Sequence, residues 1–166
     1  YDEHGPVNLR ECTQEAINLL QLQRDNCQVN FVNDVPEYVQ VIGDSQRIIQ
    51  IFVNLLSNAR DASDDGAKIQ VRVDAIGKHI QFSVIDEGSG IPEELIEQAF
   101  EPFFTTKQAG EGTGLGLAMV YSIVEEHKGE IEIISPADKV LQKGTRIVVK
   151  LLNSLASAGT LGNTRE

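Results

Sequence analysis

Positive charge is scarce in this chain. Lys and Arg number 14 against 25 Asp and Glu, for a formal net charge of −11. A surface that acidic repels DNA and RNA and argues against nucleic acid as a direct partner. Long apolar runs are missing too: none approaches the roughly 20 residues of a membrane span, and the opening residues do not read as a signal peptide. A cytoplasmic location is therefore expected, with any membrane anchor in segments outside this sequence. Cysteine is limited to Cys12 and Cys27, without C-x-x-C or Cys/His metal spacing. Both are expected as reduced thiols, a disulfide between them being the less favoured alternative. No Gly-Lys-Ser or Gly-Lys-Thr occurs, which removes a Walker phosphate loop.

What is present is enough for a globular domain: 166 residues, 41% of them hydrophobic. The most informative stretch is Gly110-Glu-Gly-Thr-Gly-Leu-Gly-Leu117, where four glycines alternate with other residues and a helical pattern follows from Leu115. Glycines that open a helix leave unpaired N–H groups at the positive end of its dipole, a ready phosphate site. The plain alternative is a flexible loop that happens to precede a helix. The dinucleotide fingerprint G-x-G-x-x-G fails in both frames, because Leu115 and Leu117 stand where its third glycine belongs.

In chain order, Tyr1 to Pro6 reads as a linker and Val7 to Leu9 as a short edge strand. Asn8 then caps a helix to about Asp25, with Cys12, Ala16, Ile17, Leu19 and Leu20 inward. Strands are expected over Val29–Val32 and Val39–Ile42. Asp44 or Ser45 caps a second helix to about Ala62, with Ile48, Ile49, Phe52, Leu55, Leu56 and Ala59 on its apolar face. Asn54 and Asn58 lie four apart on one face of that helix, at a mid-helix cost in propensity. They have either a chemical task or partners within the core. A hairpin over Lys68–Ile76 and His79–Ile85 delivers the chain to Asp86-Glu-Gly-Ser-Gly-Ile-Pro92. There an acid at a strand end can accept from an exocyclic amine, and the glycines let a flat ring lie on the backbone. A short helix from Pro92, a structured loop over Phe100–Lys107, a helix from Leu115 to about His127, and strands over Glu130–Ser135 and Thr145–Leu152 complete the reading.

Four signatures stand in order: Asn54-x-x-x-Asn58, Asp86-x-Gly88-x-Gly90, Phe100-Glu-Pro-Phe-Phe-Thr-Thr-Lys107 and Gly112-Thr-Gly-Leu-Gly116. Over roughly residues 7 to 152 their order and spacing resemble the catalytic ATP-binding domain of sensor histidine kinases, within the histidine kinase, gyrase, Hsp90 and MutL superfamily. The stretch Phe100–Lys107 looks like that of nitrogen-regulation and dicarboxylate-sensor kinases. The resemblance implies a two-layer α/β sandwich, with a mixed sheet covered on one face by three helices. It implies ATP and Mg²⁺ as cofactors, with Asn58 on the metal and Asn54 one turn earlier beside it. It implies Asp86 as the adenine-reading acid and Gly88, Gly90 and Ile91 beneath the base. Thr105, Thr106, Lys107, Gly112, Thr113, Gly114, Leu115 and Gly116 then line the lid and phosphate side, and Thr145 closes the adenine end. Residues 1–6 become a linker and 153–166 a flexible tail.

One departure stands out. Many such kinases carry a Lys three positions after the metal asparagine; here it is Asp61, preceded by Arg60. Asp61 is still expected to border the nucleotide, and Lys107 is expected to supply the missing cation. Three functions remain open: phosphoryl transfer to a histidine, ATP hydrolysis, and nucleotide binding without catalysis. Hydrolases of the superfamily place a Glu where this chain has Asn54, and an amide is no general base. None of His4, His79 and His127 lies in an acceptor-like sequence. The acceptor is therefore expected on separate dimerisation helices, with a dimeric full-length protein and a response regulator downstream.

Overall fold

The computed structural model describes residues 4–23, 28–91, 95–96, 98–100, 116–141 and 143–154. Among them are seven strands and three α-helices. β1 (Gly5–Asn8) begins inside the stretch expected as a linker and pairs antiparallel with β3 (Gln40–Gly43). The other five strands form one sheet in the order β2-β4-β5-β7-β6. These are β2 (Asn30–Asp34), β4 (Lys68–Ile76), β5 (His79–Asp86), β6 (Glu130–Ile134) and β7 (Thr145–Leu152). Only β2 and β4 run parallel, so the sheet is mixed. With the helices α1 (Leu9–Leu22), α2 (Ser45–Asp61) and α3 (Gly116–Glu126) packed on it, the chain is an α/β sandwich.

Local chemistry explains the helix starts. Asn8 Oδ1 accepts the Glu11 N–H at 2.9 Å, and Asp44 Oδ1 accepts the Gln46 N–H at 3.0 Å. Each satisfies one of the amides a helix leaves orphaned, which is worth about 1 kcal/mol. α1 stops at Leu22, where Gln23 is extended, rather than near Asp25. Leu19, expected inward, is 44% exposed, because the buried stripe runs instead through Leu9, Cys12, Thr13, Ala16, Ile17 and Leu20. Cys12 is a buried free thiol that burial pushes up to about 11, too basic to form thiolate readily; Cys27 lies outside the described residues.

The middle helix, α2, does most of the covering. Ile48, Ile51, Phe52, Leu55 and Leu56 are buried on it, while Ile49 is only half-buried. Phe52 meets Phe82 of β5 with ring centroids 5.3 Å apart. The inward face of β5 continues through Ile80, Phe82 and Val84 to Asp86, all buried. Strand alternation thus brings an acid to the helix side of the sheet at the strand's end.

The opposite face of the sheet carries a polar cluster. Asp74 accepts from Ser83 Oγ, from Arg72 Nε at 2.9 Å and from Arg146 at 3.1 Å; Arg146 Nε also donates to Ser83 Oγ at 3.0 Å. The cluster ties the three neighbouring strands β4, β5 and β7 together, and Arg146 directly follows Thr145. Burial raises the Asp74 carboxyl, but hydrogen bonds from Ser83, Arg72 and Arg146 outweigh it, and the net shift is downward. A carboxyl held below its unfolded value of about 3.9 stabilises the fold fully above that pH, and the contribution is lost as pH falls through the folded value. Asp74→Ala is expected to lower stability in urea by roughly 1–3 kcal/mol at pH 7, with the gap between variant and parent closing under strong acid.

Candidate functional site

The end of β5 and the start of β7 lie side by side, Asp86 opposite Thr145. Asp86 Oδ1 accepts the Gly88 N–H at 2.8 Å and the Thr145 N–H at 3.2 Å. Gly144 N–H in turn donates to Gly88 O at 2.8 Å. A carboxylate fixed through one oxygen keeps the other for a ligand donor, and an amino group on a flat ring is such a donor. Burial lifts the Asp86 carboxyl above the usual carboxylate range; the Gly88 and Thr145 amides oppose that rise and the neighbouring Glu87 charge adds to it. A buried acid with a raised pKa beside a glycine loop is the pattern of a binding site rather than of a structural ion pair.

The glycines of the loop are dictated by space. A Cβ on Gly88 would stand 2.2 Å from the carbonyl oxygen of Ala62, so the loop passes directly over the C-terminal end of α2. Gly90 has φ +82°, a region that side chains rarely adopt, and its Cβ would lie 2.8 Å from Ser135 Oγ. Ile91, half-buried, donates its N–H to that same Ser135 hydroxyl at 2.8 Å.

A second group of polar atoms gathers where α2 passes the start of α3. Asn54 Nδ2 donates to Gly116 O at 3.3 Å, and Asn54 Oδ1 accepts from Gln50 Nε2 at 2.9 Å. Both ends of that amide are engaged, so Asn54 anchors the first residue of α3. The Asn58 amide makes no hydrogen bond among the described residues, and its Nδ2 lies 3.3 Å from where a Gly116 Cβ would be. An amide with no partner among the described residues, facing a glycine at a helix N-terminus, fits a divalent cation carried in on phosphate oxygens, since Mg²⁺ takes one or two protein ligands and fills its shell with water and phosphate. No group of three or more His, Cys, Asp or Glu among the described residues could hold a metal alone.

Arg60, beside the departure at Asp61, reaches toward the end of α1. It is buried, and donates to Leu20 O at 3.3 Å and Gln23 Oε1 at 3.0 Å, bracing the end of α1. Asp61 is exposed as the last residue of α2. Thr105, Thr106, Lys107, Gly112, Thr113, Gly114 and Leu115 lie outside the described residues, as does the expected helix start at Pro92. Leu95 and Ile96 lead into turns, with Ala99 buried, and Phe100 packs on Tyr121 of α3 with centroids 5.4 Å apart.

Two residues were not singled out from sequence. Ser135 is discussed below. His127 is buried just past α3; its Nδ1 donates to Ile123 O at 2.8 Å, and its Nε2 accepts the Asp44 N–H at 3.1 Å. It therefore joins the end of α3 to the cap of α2, the two helices that carry Gly116 and the asparagines.

The family model for histidine kinase-, DNA gyrase B- and HSP90-like ATPases matches residues 43–154. Sporulation kinase E of Bacillus subtilis is 34% identical over 141 residues, which cover 84% of this chain and 18% of that protein. The chain spans about a fifth of the length of the first curated relatives it matches. The solved mycobacterial sensor histidine kinase MprB superposes with a TM-score of 0.77 at 31% identity, over 90% of this chain and 97% of that one. The catalytic domain of histidine kinase ThkA gives 0.77 and 31%, over 91% and 96%. ThkA in complex with the response regulator protein TrrA gives 0.70 and 29%, over 90% and 41%.

The raised Asp86 titration has two opposite consequences. If Asp86 reads the base it must do so ionised, and affinity for ATP is then expected to fall as pH drops, starting above the range of an ordinary aspartate near 3.9. Affinity for magnesium tripolyphosphate should change less. The folded state, however, bears the cost of that buried charge, so Asp86→Asn should unfold in urea no earlier than the parent while losing ATP affinity. Calorimetry across pH, alongside urea melts of the variant, checks both signs.

Proposed function

The chain belongs to the histidine kinase-, DNA gyrase B- and HSP90-like ATPase family, and from that premise we propose that it is the catalytic ATP-binding domain of a sensor histidine kinase. It passes the γ-phosphoryl group of ATP to a histidine on a separate helical domain, for onward transfer to a response regulator. The observation that carries this reading is the pairing of two sites across one layer. A buried acid and glycine loop suit the base, and the Asn58 amide, without a hydrogen-bond partner among the described residues and facing Gly116 at the start of α3, suits the metal-phosphate end.

Each residue has a limited task. Asp86 accepts from the base amine, and Gly88 and Gly90 let the ring lie close. Asn58 would hold Mg²⁺, which when bound offsets phosphate charge. Asn54 holds Gly116 so that the N-terminal amides of α3 face the phosphates. Lys107 supplies the cation that Asp61 does not, and Thr105, Thr106 and Gly112–Leu115 complete the phosphate side. Catalysis of this kind is positioning and charge neutralisation rather than covalent chemistry. The amide at Asn54, already engaged at both ends, supports transfer over hydrolysis, because it cannot take a proton from water.

The wording of the Phe100–Lys107 stretch supports a nitrogen-regulation or dicarboxylate-sensor type. The complex of ThkA with TrrA supports a response regulator as partner. We place the domain in the cytoplasm and the full-length protein in a dimer; among the described residues no helix is long and apolar enough to cross a membrane.

Given ATP labelled at the γ-phosphate, the domain alone should not label itself and should hydrolyse ATP slowly. Mixed with the dimerisation and phosphoacceptor helices of its own kinase, it should place an acid-labile, base-stable label on them. Efficient turnover by the isolated domain would favour a hydrolase. Measurable ATP binding with no label on the acceptor helices would leave only a binding module.

A further inference from the structure

Ser135 follows β6 and sits 44 residues beyond the glycine loop, yet its hydroxyl stands at the centre of it. The oxygen accepts the Ile91 N–H at 2.8 Å and donates to the Gly144 carbonyl at 3.1 Å. Ala137 N–H reaches the same carbonyl at 3.0 Å, and Gly144 N–H reaches Gly88 O at 2.8 Å. Thr145, next in the chain, gives its N–H to Asp86, as does Gly88. A single hydroxyl thus bridges two backbone segments, 88–91 and 144–145, that both fix the Asp86 carboxylate. Asp86 Oδ1 likewise bonds to both segments.

We propose that Ser135 is a positioning residue for the base-reading carboxylate: its hydroxyl sets the spacing between the Gly88–Ile91 loop and Gly144–Thr145, and so the aim of Asp86. The inference rests on Asp86 reading the base. Without the hydroxyl, the Ile91 amide loses its acceptor and Gly144 O loses one of its two donors, so the loop is free to move away from Thr145. Gly90, where a Cβ would stand 2.8 Å from this hydroxyl, is the first backbone to shift. The base should feel that movement, and the phosphate end, across the layer at Asn58 and Gly116, should not.

The test compares Ser135→Ala and Ser135→Thr with the parent and with Asp86→Asn, in calorimetric titrations with magnesium ATP, magnesium GTP and magnesium tripolyphosphate, alongside urea melts. Ser135→Ala should lose about tenfold in ATP affinity, narrow the preference of ATP over GTP by a similar factor, and bind tripolyphosphate within twofold of the parent. Ser135→Thr, which keeps the hydroxyl, should restore most of the preference. Should Ser135→Ala fail to fold, Ser135→Cys, whose thiol is a weak donor, replaces it in the same comparison. An unchanged ATP-to-GTP ratio in the hydroxyl-free variant, with Asp86→Asn still losing it, would overturn the role of Ser135 alone. An Asp86→Asn variant that keeps the ratio would overturn the reading of Asp86 beneath it. Equal loss of ATP and tripolyphosphate, tracking lost stability, would mark Ser135 as merely structural and also overturn the proposal.

Discussion

The site depends on one buried carboxylate and the two backbone amides that hold it. Asp86 stands on the helix-facing side of β5, where the strand's alternation would otherwise put another apolar residue. An ionised acid there is unfavourable unless hydrogen-bonded, and the Gly88 and Thr145 N–H groups provide the bonds. Those amides are available only because β5 and β7 pair in a register that sets Asp86 opposite Thr145, and because the chain turns at once through Gly88. The register is locked from the other face of the sheet by Asp74, Ser83, Arg72 and Arg146, the last adjacent to Thr145. Stability on one face thus serves geometry on the other.

Electrostatics gives this arrangement its shape. A chain with a net charge of −11 must still receive an anion. In the proposed reading, backbone N–H groups at the start of α3, a neutral amide at Asn58, a divalent cation carried with the ligand and the single side chain of Lys107 would do so without a broadly basic surface. Arg60, the cation closest in sequence to the departure at Asp61, is committed to the end of α1. Burial raises the Asp86 carboxyl, and on the proposed reading that is the other side of the same economy: an acid kept for recognition at some cost to the fold.

Much of this was legible in the sequence because the signals are local. Alternation marked β4 and β7 to the residue, Asn8 declared its cap, Asp44-Ser45 narrowed the second cap to two residues, and Gly77-Lys78 declared its turn. The asparagine spacing and the acid-glycine stretch put Asn58 and Asp86 forward before any contact was known. Periodicity faltered where packing decides: Leu19 faces out, and Ile51, not Ile49, is buried, because which flank of a helix is covered depends on the neighbours it meets in the fold. Interactions across long separations left no trace. Arg146 meets Ser83 from 63 residues away, Ser135 meets Ile91 from 44, and His127 meets Asp44 from 83. Each is a common polar residue whose role appears only once the strands and helices are side by side.

The central claim is that the base is read at Asp86 through the frame made by Gly88 and Thr145. Amide NMR of the domain, titrated separately with adenosine, ATP and magnesium tripolyphosphate, tests it most directly. The account predicts that the Gly88 and Thr145 amide signals shift with adenosine and with ATP, while tripolyphosphate moves Gly116 and leaves those two in place. Gly88 and Thr145 signals that respond to tripolyphosphate as they do to ATP, or that ignore adenosine at saturating concentration, would contradict it.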